Sequence, residues 1–102
     1  MFDGWVNPPG FKTLHLADMP VTVESSRAWP GMFTHLGMGL QSSEIRDHGL
    51  KIDTFMRGRL IAQVRRTDGE WFAVVEVPAA SGDGQSQLTM QLWLPPESVR
   101  RE

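Results

Sequence analysis

The sequence contains no cysteine. This absence excludes disulfide bonds, zinc sites built on thiolates and thiol catalysis, so hydrophobic packing must supply most of the stability. It also agrees with a cytoplasmic location, which we expect. An excess of positive charge is missing too, because the formal net charge is −2. Binding to nucleic acid or to an anionic membrane would therefore need a local basic patch.

Long apolar segments are absent as well. The start, Met1 to Trp5, has neither the basic nor the apolar region of a secretory signal, and no later stretch approaches the length of a membrane span. We expect no membrane partner. The chain has 102 residues, the size of one domain. We predict an N-terminal arm over residues 1–10, which are rich in turn formers, and a single β-rich domain over residues 11–102.

The clearest local pattern is the run over residues 60–77, which predicts a β-hairpin closed on Asp68-Gly69, a dipeptide that favours a two-residue type I′ turn. Such a turn fixes the register of the two strands. One face of the hairpin is then apolar and pairs Arg66 with Trp71, Val64 with Ala73, Ala62 with Val75 and Leu60 with Val77.

Weaker patterns surround the hairpin. Short strands are expected over 11–16, 21–24 and 32–36, with a turn at 17–20. Ser42 is a candidate N-cap for a short helix over 43–48 that ends at Gly49. Residues 50–58 fit helical and strand spacing equally, and residues 78–87 read as a polar loop. The last strand, over 88–94, has an alternation that predicts one buried face, formed by Leu88, Met90, Leu92 and Leu94.

The fold expected from these patterns is mostly β, with an α+β arrangement as the alternative: a small antiparallel sheet with one short helix. The segment over residues 91–100 (QLWLPPESVR), following the hairpin, resembles the last strands of small SH3-like barrels. In such modules an aromatic-aliphatic strand commonly runs into a short helical turn. The resemblance implies a platform for peptides, nucleic acid or other subunits.

A second resemblance gives a different expectation. The segment over residues 43–57 (SEIRDHGLKIDTFMR) resembles the helix, turn and recognition helix of winged DNA-binding domains, with the hairpin as the wing. Residues 43–66 contain six basic and three acidic side chains. The resemblance implies nucleic-acid contacts by Lys51, Arg57 and Arg59 at the phosphates and by Arg65 and Arg66 near the wing tip. The alternative is a solvated face on which Arg66 lies over Trp71 and Arg65 lies beside Phe72.

Residue types that carry catalysis are present without the spacing that catalysis needs. His15, His35 and His48 lie in different segments, and none has a partner at metal-ligand spacing. The serines lack a nucleophile elbow. We therefore predict a protein that is not an enzyme and that has no metal or cofactor.

The aromatic residues give the leading functional hypothesis. Phe72 and Trp93 alternate away from the apolar faces of their strands, so the predicted sheet is apolar on both sides. The second side must be covered by the N-terminal arm or by another chain, including a second copy. We predict a non-catalytic protein-binding or regulatory accessory module, with a nucleic-acid-binding domain as the alternative. The predicted protein contacts are Ile61, Arg65, Phe72 and Trp93.

Overall fold

The computed structural model describes residues 1–31 and 42–102, so the strand predicted over 32–36 lies outside the described residues. The described part is mostly β, as predicted, and its strands form one antiparallel sheet in the order β4-β3-β2-β1-β5. The elements in chain order are β1 (Leu14–Glu24), α1 (Ser25–Ala28), α2 (Ser43–His48), β2 (Phe55–Arg65), β3 (Trp71–Ala80), β4 (Gln87–Leu94), a 3-10 helix (Pro96–Ser98) and β5 (Val99–Arg101).

Helix α2 confirms the prediction made for residues 43–48. The Ser42 hydroxyl accepts a hydrogen bond from the Ile45 amide at 3.3 Å, and the Gly49 amide donates to the Ile45 carbonyl at 2.8 Å. Both ends are therefore fixed by local capping. The prediction of a single short helix was incomplete, because α1 follows β1 directly.

The register predicted for the hairpin between β2 and β3 was wrong by one residue. A type I′ turn needs positive φ at both Asp68 and Gly69, and of these two only Gly69 has it, at 90°. The Gly69 amide donates to the Arg66 carbonyl, and the Arg66 amide donates to the carbonyl of Glu70. The loop consequently has three residues, and Arg65 lies opposite Trp71.

A second irregularity lies inside the same hairpin. The pairing of β2 with β3 shifts between Leu60 and Ala62, so one extra residue, Ile61, is inserted. Because side chains alternate along a strand, the insertion places Leu60 and Ala62 on opposite faces. The prediction that Leu60, Ala62 and Val64 share one apolar face was therefore wrong.

The predicted break between strands 11–16 and 21–24 was also wrong, because β1 runs from Leu14 through Pro20. Its pairing with β2 shifts between Leu16 and Met19 and then continues, with Pro20 opposite Arg59. β5 pairs with β1 only from Val21 onward, so the proline faces an unpaired edge. A proline is tolerated in a strand beside such an edge.

β3 extends further than the sequence pattern indicated. Pro78 and Ala79 were predicted to lie in a polar loop, but they pair with Thr89 and Leu88 of β4. Ala79 is buried in the main core. Burial of Ala79 therefore outweighs the low strand propensity of proline and alanine at this point.

The sheet has two apolar clusters, which define its two faces. The inner face carries the larger cluster, and the outer face carries a smaller one. Gly58 lies on the inner face, where a Cβ atom would come within 2.6 Å of the Glu76 carbonyl oxygen. The inner cluster consists of Val21, Val23, Met56, Leu60, Ala73, Val75, Val77, Ala79 and Leu94, and the outer cluster of Leu14, Ala62, Val64 and Val74.

Candidate functional site

The outer face carries an exposed group of aromatic side chains. The pairing of β3 with β4 sets Val74 opposite Trp93, which places Trp93 beside Phe72. Their ring centroids are 6.1 Å apart and the ring planes are inclined by 76°, the edge-to-face arrangement that aromatic quadrupoles favour. Phe2, from the N-terminal segment, adds a third ring whose centroid lies 6.2 Å from that of Trp93.

Large apolar side chains stay accessible on this face. Leu16 is 73% exposed and Trp93 is 43% exposed. Ile61 and Phe2 pack against the outer cluster and are only partly buried. We call the surface formed by Phe2, Leu16, Ile61, Phe72 and Trp93 the aromatic patch.

Three of the four predicted protein contacts, Ile61, Phe72 and Trp93, are brought together in the aromatic patch. Arg65 is not, because the corrected register places it opposite Trp71 on the inner face. There its guanidinium lies 5.6 Å from the Trp71 ring and 5.8 Å from the Phe11 ring.

Arg66 takes the position beside the aromatic patch that was predicted for Arg65. Its guanidinium lies 5.2 Å from the centroid of the Phe72 ring, so the predicted stacking of Arg66 on Trp71 was wrong by the same one-residue shift. Arg66 also forms an ion pair with Asp68. The Asp68 carboxylate accepts the Glu70 amide, and this hydrogen bond, followed by the contact with Arg66, lowers the pKa of Asp68.

The N-terminal segment is held on the sheet by Asn7. Its carbonyl oxygen accepts the amides of Thr13 and Leu14 at 3.0 and 3.1 Å, while its NH₂ donates to the Leu14 carbonyl at 3.0 Å. The Trp5 indole donates to the Thr13 hydroxyl. These contacts bring the start of the chain to β1, and Phe2 reaches the aromatic patch from there.

The five predicted nucleic-acid contacts do not form one basic surface. Arg57 and Arg59 lie on the outer face and Arg65 on the inner face, whereas Lys51 precedes β2. Four of the five have a carboxylate partner: Lys51 with Asp53 at 3.9 Å, Arg57 with Glu102 at 3.5 Å, Arg59 with Asp18 at 2.5 Å, and Arg66 with Asp68.

The recognition helix implied by the winged-domain resemblance is contradicted. Residues 51–53 have no regular structure, and β2 begins at Phe55. The Ser25 amide donates to the Thr54 carbonyl at 2.9 Å, and the Ser25 hydroxyl donates to the Asp53 carbonyl. These hydrogen bonds hold the end of the segment before β2 against the start of α1.

A pocket of about 290 Å³ opens at the inner face beside β5. Its polar side chains are His15, Gln63 and Arg101, and its floor includes Leu60 and Val99. These groups could hold a small polar ligand by hydrogen bonds. In the described ranges, no three His, Asp or Glu side chains converge as a metal site would require. No described helix is long and apolar enough to cross a bilayer.

Sequence reasoning missed one member of the aromatic patch, Leu16, and it predicted that the N-terminal arm lies on the domain through Phe2 without identifying Trp93 as the residue that Phe2 contacts. The alternation of Leu14 and Leu16 was a usable signal, because it places Leu16 on the face that carries Leu14. The contact of Phe2 with Trp93 joins distant parts of the chain and leaves no local pattern.

Comparisons with known proteins give no counterpart for this arrangement. No family model matches the chain, and no curated protein and no solved structure matches it significantly. The function must therefore be argued from the residues and their geometry.

Proposed function

We propose that this chain is a non-catalytic protein-binding or regulatory accessory module whose contact surface is the aromatic patch. The observation that carries the proposal is that Trp93, which is 43% exposed, lies edge to face with Phe72 on the outer face and is also in contact with Phe2. Exposed apolar side chains that adjoin one another, rather than lying singly, are typical of a surface that another protein covers. Arg66 at the margin adds a residue type that is enriched in such contacts.

The arrangement of the sheet supports a further part of this proposal, a fold of the SH3-like barrel kind. A 3-10 helix, Pro96–Ser98, follows β4, and β5 then returns to pair with β1. The resemblance implied a short helical turn after an aromatic-aliphatic strand, and β4 ends with Trp93 and Leu94. A domain of this kind would present the aromatic patch on a rigid sheet.

The first test compares variants of the aromatic patch with a matched variant elsewhere. Phe72→Ala and Trp93→Ala should keep the fold, because neither ring is fully buried, and should abolish retention of a protein partner by the immobilised chain. Phe55→Ala is the control, since Phe55 is 52% exposed and lies on the outer face at the far end of β2. It should retain the partner.

Circular dichroism and urea unfolding decide whether the patch is surface or core. Truncating these rings should cost less than the roughly 3–5 kcal/mol expected for a fully buried aromatic side chain. If Phe72→Ala and Trp93→Ala each unfold the protein outright, the two rings are core and the proposed contact surface is wrong.

The nucleic-acid alternative is tested by fluorescence anisotropy with labelled duplex DNA, single-stranded DNA and RNA. Binding that weakens steeply with salt and is lost when Arg57, Arg59 and Arg66 are replaced together by Gln would support that alternative. No binding at low salt would remove it. The carboxylate partners of these three arginines favour the second outcome.

A further inference from the structure

The free edge of β4 is unlike the other edge of the sheet. β4 is the outermost strand on its side and pairs with β3 along all eight residues without a register shift. Among the described residues, no further segment forms backbone hydrogen bonds with β4. Within residues 1–31 and 42–102, the edge therefore presents a row of unpaired N–H and C=O groups.

Nothing in the sequence of β4 blocks this edge. The strand, QLTMQLWL, contains no charged residue, no proline and no bulge, which are the devices that usually prevent edge strands from pairing. The opposite edge strand, β5, is only three residues long and contains two arginines. One edge of the sheet is thus protected and the other is open.

The side chains along the open edge are incompletely buried. Leu88, Met90 and Leu92 point to the inner face, and the sequence pattern predicted that they would be buried. Leu88 is instead 50% exposed, and Met90 and Leu92 are only partly buried. An additional strand at this edge would cover all three.

We infer that β4 pairs antiparallel with β4 of a second copy of this chain and forms a continuous ten-stranded sheet. A two-fold axis perpendicular to the sheet keeps the inner faces of both copies on the same side. With the axis at Met90, the partly exposed apolar side chains of the two copies meet one another. The pairs are Leu88 with Leu92, Met90 with Met90, Thr89 with Gln91 and Gln87 with Trp93.

Two features select a second copy over a foreign peptide. The pattern of β4 is symmetric about Met90, so apolar residues meet apolar residues and polar residues meet mainly polar ones. The strand has no charge and the whole chain carries only −2, so two copies meet with little repulsion. A charged peptide would find no ionic partner on β4.

Charge-swap variants test this inference directly. Thr89 and Gln91 are exposed on the outer face, so each can be replaced without disturbing the core. Thr89→Lys with Gln91→Lys places like charges across the axis, as does Thr89→Glu with Gln91→Glu. Each double variant alone should dimerise more weakly than the wild-type chain. An equimolar mixture of the two should recover the dimer.

Sedimentation velocity from micromolar to millimolar concentration gives the readout. The wild-type chain should dimerise, and each double variant should weaken dimerisation at least tenfold. Ser26→Lys with Thr67→Lys, which adds the same charge at exposed positions away from β4, should leave the dimer unchanged. A wild-type chain that stays monomeric throughout, or a mixture that stays monomeric, overturns the inference.

The result is separable from the test of the proposed function. Phe72 lies on β3 and takes no part in the edge, so Phe72→Ala should lose the protein partner while keeping the dimer. The charge-swap variants should lose the dimer, and they are measured for dimerisation alone, because the Gln91 side chain accepts a 3.5 Å hydrogen bond from the Trp93 indole. Thermal unfolding of each variant controls for stability, because Glu76 lies opposite Gln91 and favours Lys over Glu there.

Discussion

The inner and outer faces of the sheet carry the same kinds of apolar side chain but differ in what covers them. Leu60 on the inner face is 6% exposed, whereas Leu16 on the outer face is 73% exposed. Both belong to neighbouring central strands, β2 and β1. Residue type therefore does not decide burial here. Leu60 has a paired strand on each side, whereas β5 does not extend as far as Leu16. Burial also differs between the faces, because the inner face carries the larger buried cluster, whereas the outer face has a smaller one against which Phe2 and Ile61 pack.

The largest effect that tests this comparison is the loss of an inner leucine. Leu60→Ala should destabilise the protein by about 2–4 kcal/mol, because it removes buried methyl groups and leaves a cavity. Leu16→Ala makes the same chemical change on the outer face and should stay within about 0.5 kcal/mol of wild type. Urea unfolding followed by tryptophan fluorescence measures both. Equal losses would mean that the outer face is as well covered as the inner face.

The sequence predicts those features of the structure that are determined by residues close together in the chain. Helix α2 was predicted with both ends because Ser42 and Gly49 lie in the sequence next to the residues that they cap. The register of the hairpin was not predicted, because Asp68-Gly69 fits a two-residue type I′ loop and also a three-residue loop with glycine at the positive-φ position. The insertion at Ile61 has no sequence signature at all.

The same limits explain what was predicted of the candidate site. Strand alternation alone identified Phe72 and Trp93, and these two rings are in contact. Arg65 rather than Arg66 was predicted to lie beside Phe72, because the predicted register was wrong by one residue at the turn. That error placed Arg65 on the outer face, whereas it lies on the inner face. The contact of Phe2 with Trp93 depends on tertiary structure, which short-range patterns do not contain.

An intermediate effect is expected when the N-terminal segment is released from the outer face. Asn7→Ala removes the acceptor for the Thr13 and Leu14 amides and should cost about 1 kcal/mol. Phe2 would then leave Trp93, so iodide should quench tryptophan fluorescence more strongly than in wild type. Because Trp5 and other tryptophans also emit, the measurement is repeated in a Trp93→Phe background, where the added quenching should shrink.

Matched substitutions separate anchoring from covering. Phe2→Ala should expose Trp93 to the same extent as Asn7→Ala while costing less stability, since the hydrogen bonds of Asn7 remain. If Phe2→Ala leaves the quenching unchanged, Phe2 does not shield Trp93, and the outer face is even less covered relative to the inner face.

The smallest effect concerns the charge that holds Arg66 beside the aromatic patch. The pKa of Asp68 is lowered by the Glu70 amide and by Arg66. The ionised carboxylate therefore stabilises the folded state more than the protonated carboxyl does. This contribution to stability is present above the pKa of the unfolded chain and is lost as the pH falls through the lower folded pKa. Asp68→Asn should therefore show a shallower loss of stability between about pH 5 and pH 3 than wild type.

Two further variants assign that slope to its cause. Asp68→Asn keeps a side-chain oxygen that can accept the Glu70 amide, whereas Asp68→Ala removes it and should be less stable than Asp68→Asn at neutral pH. Asp3→Asn removes one negative charge from the N-terminal segment and should leave the acid slope as in wild type. Urea unfolding across this pH range measures all three. If Asp68→Asn loses stability with falling pH as steeply as the wild type, the charge of Asp68 does not help to hold Arg66 over Phe72. The contact of Arg66 with the Phe72 ring would then hold it by stacking alone.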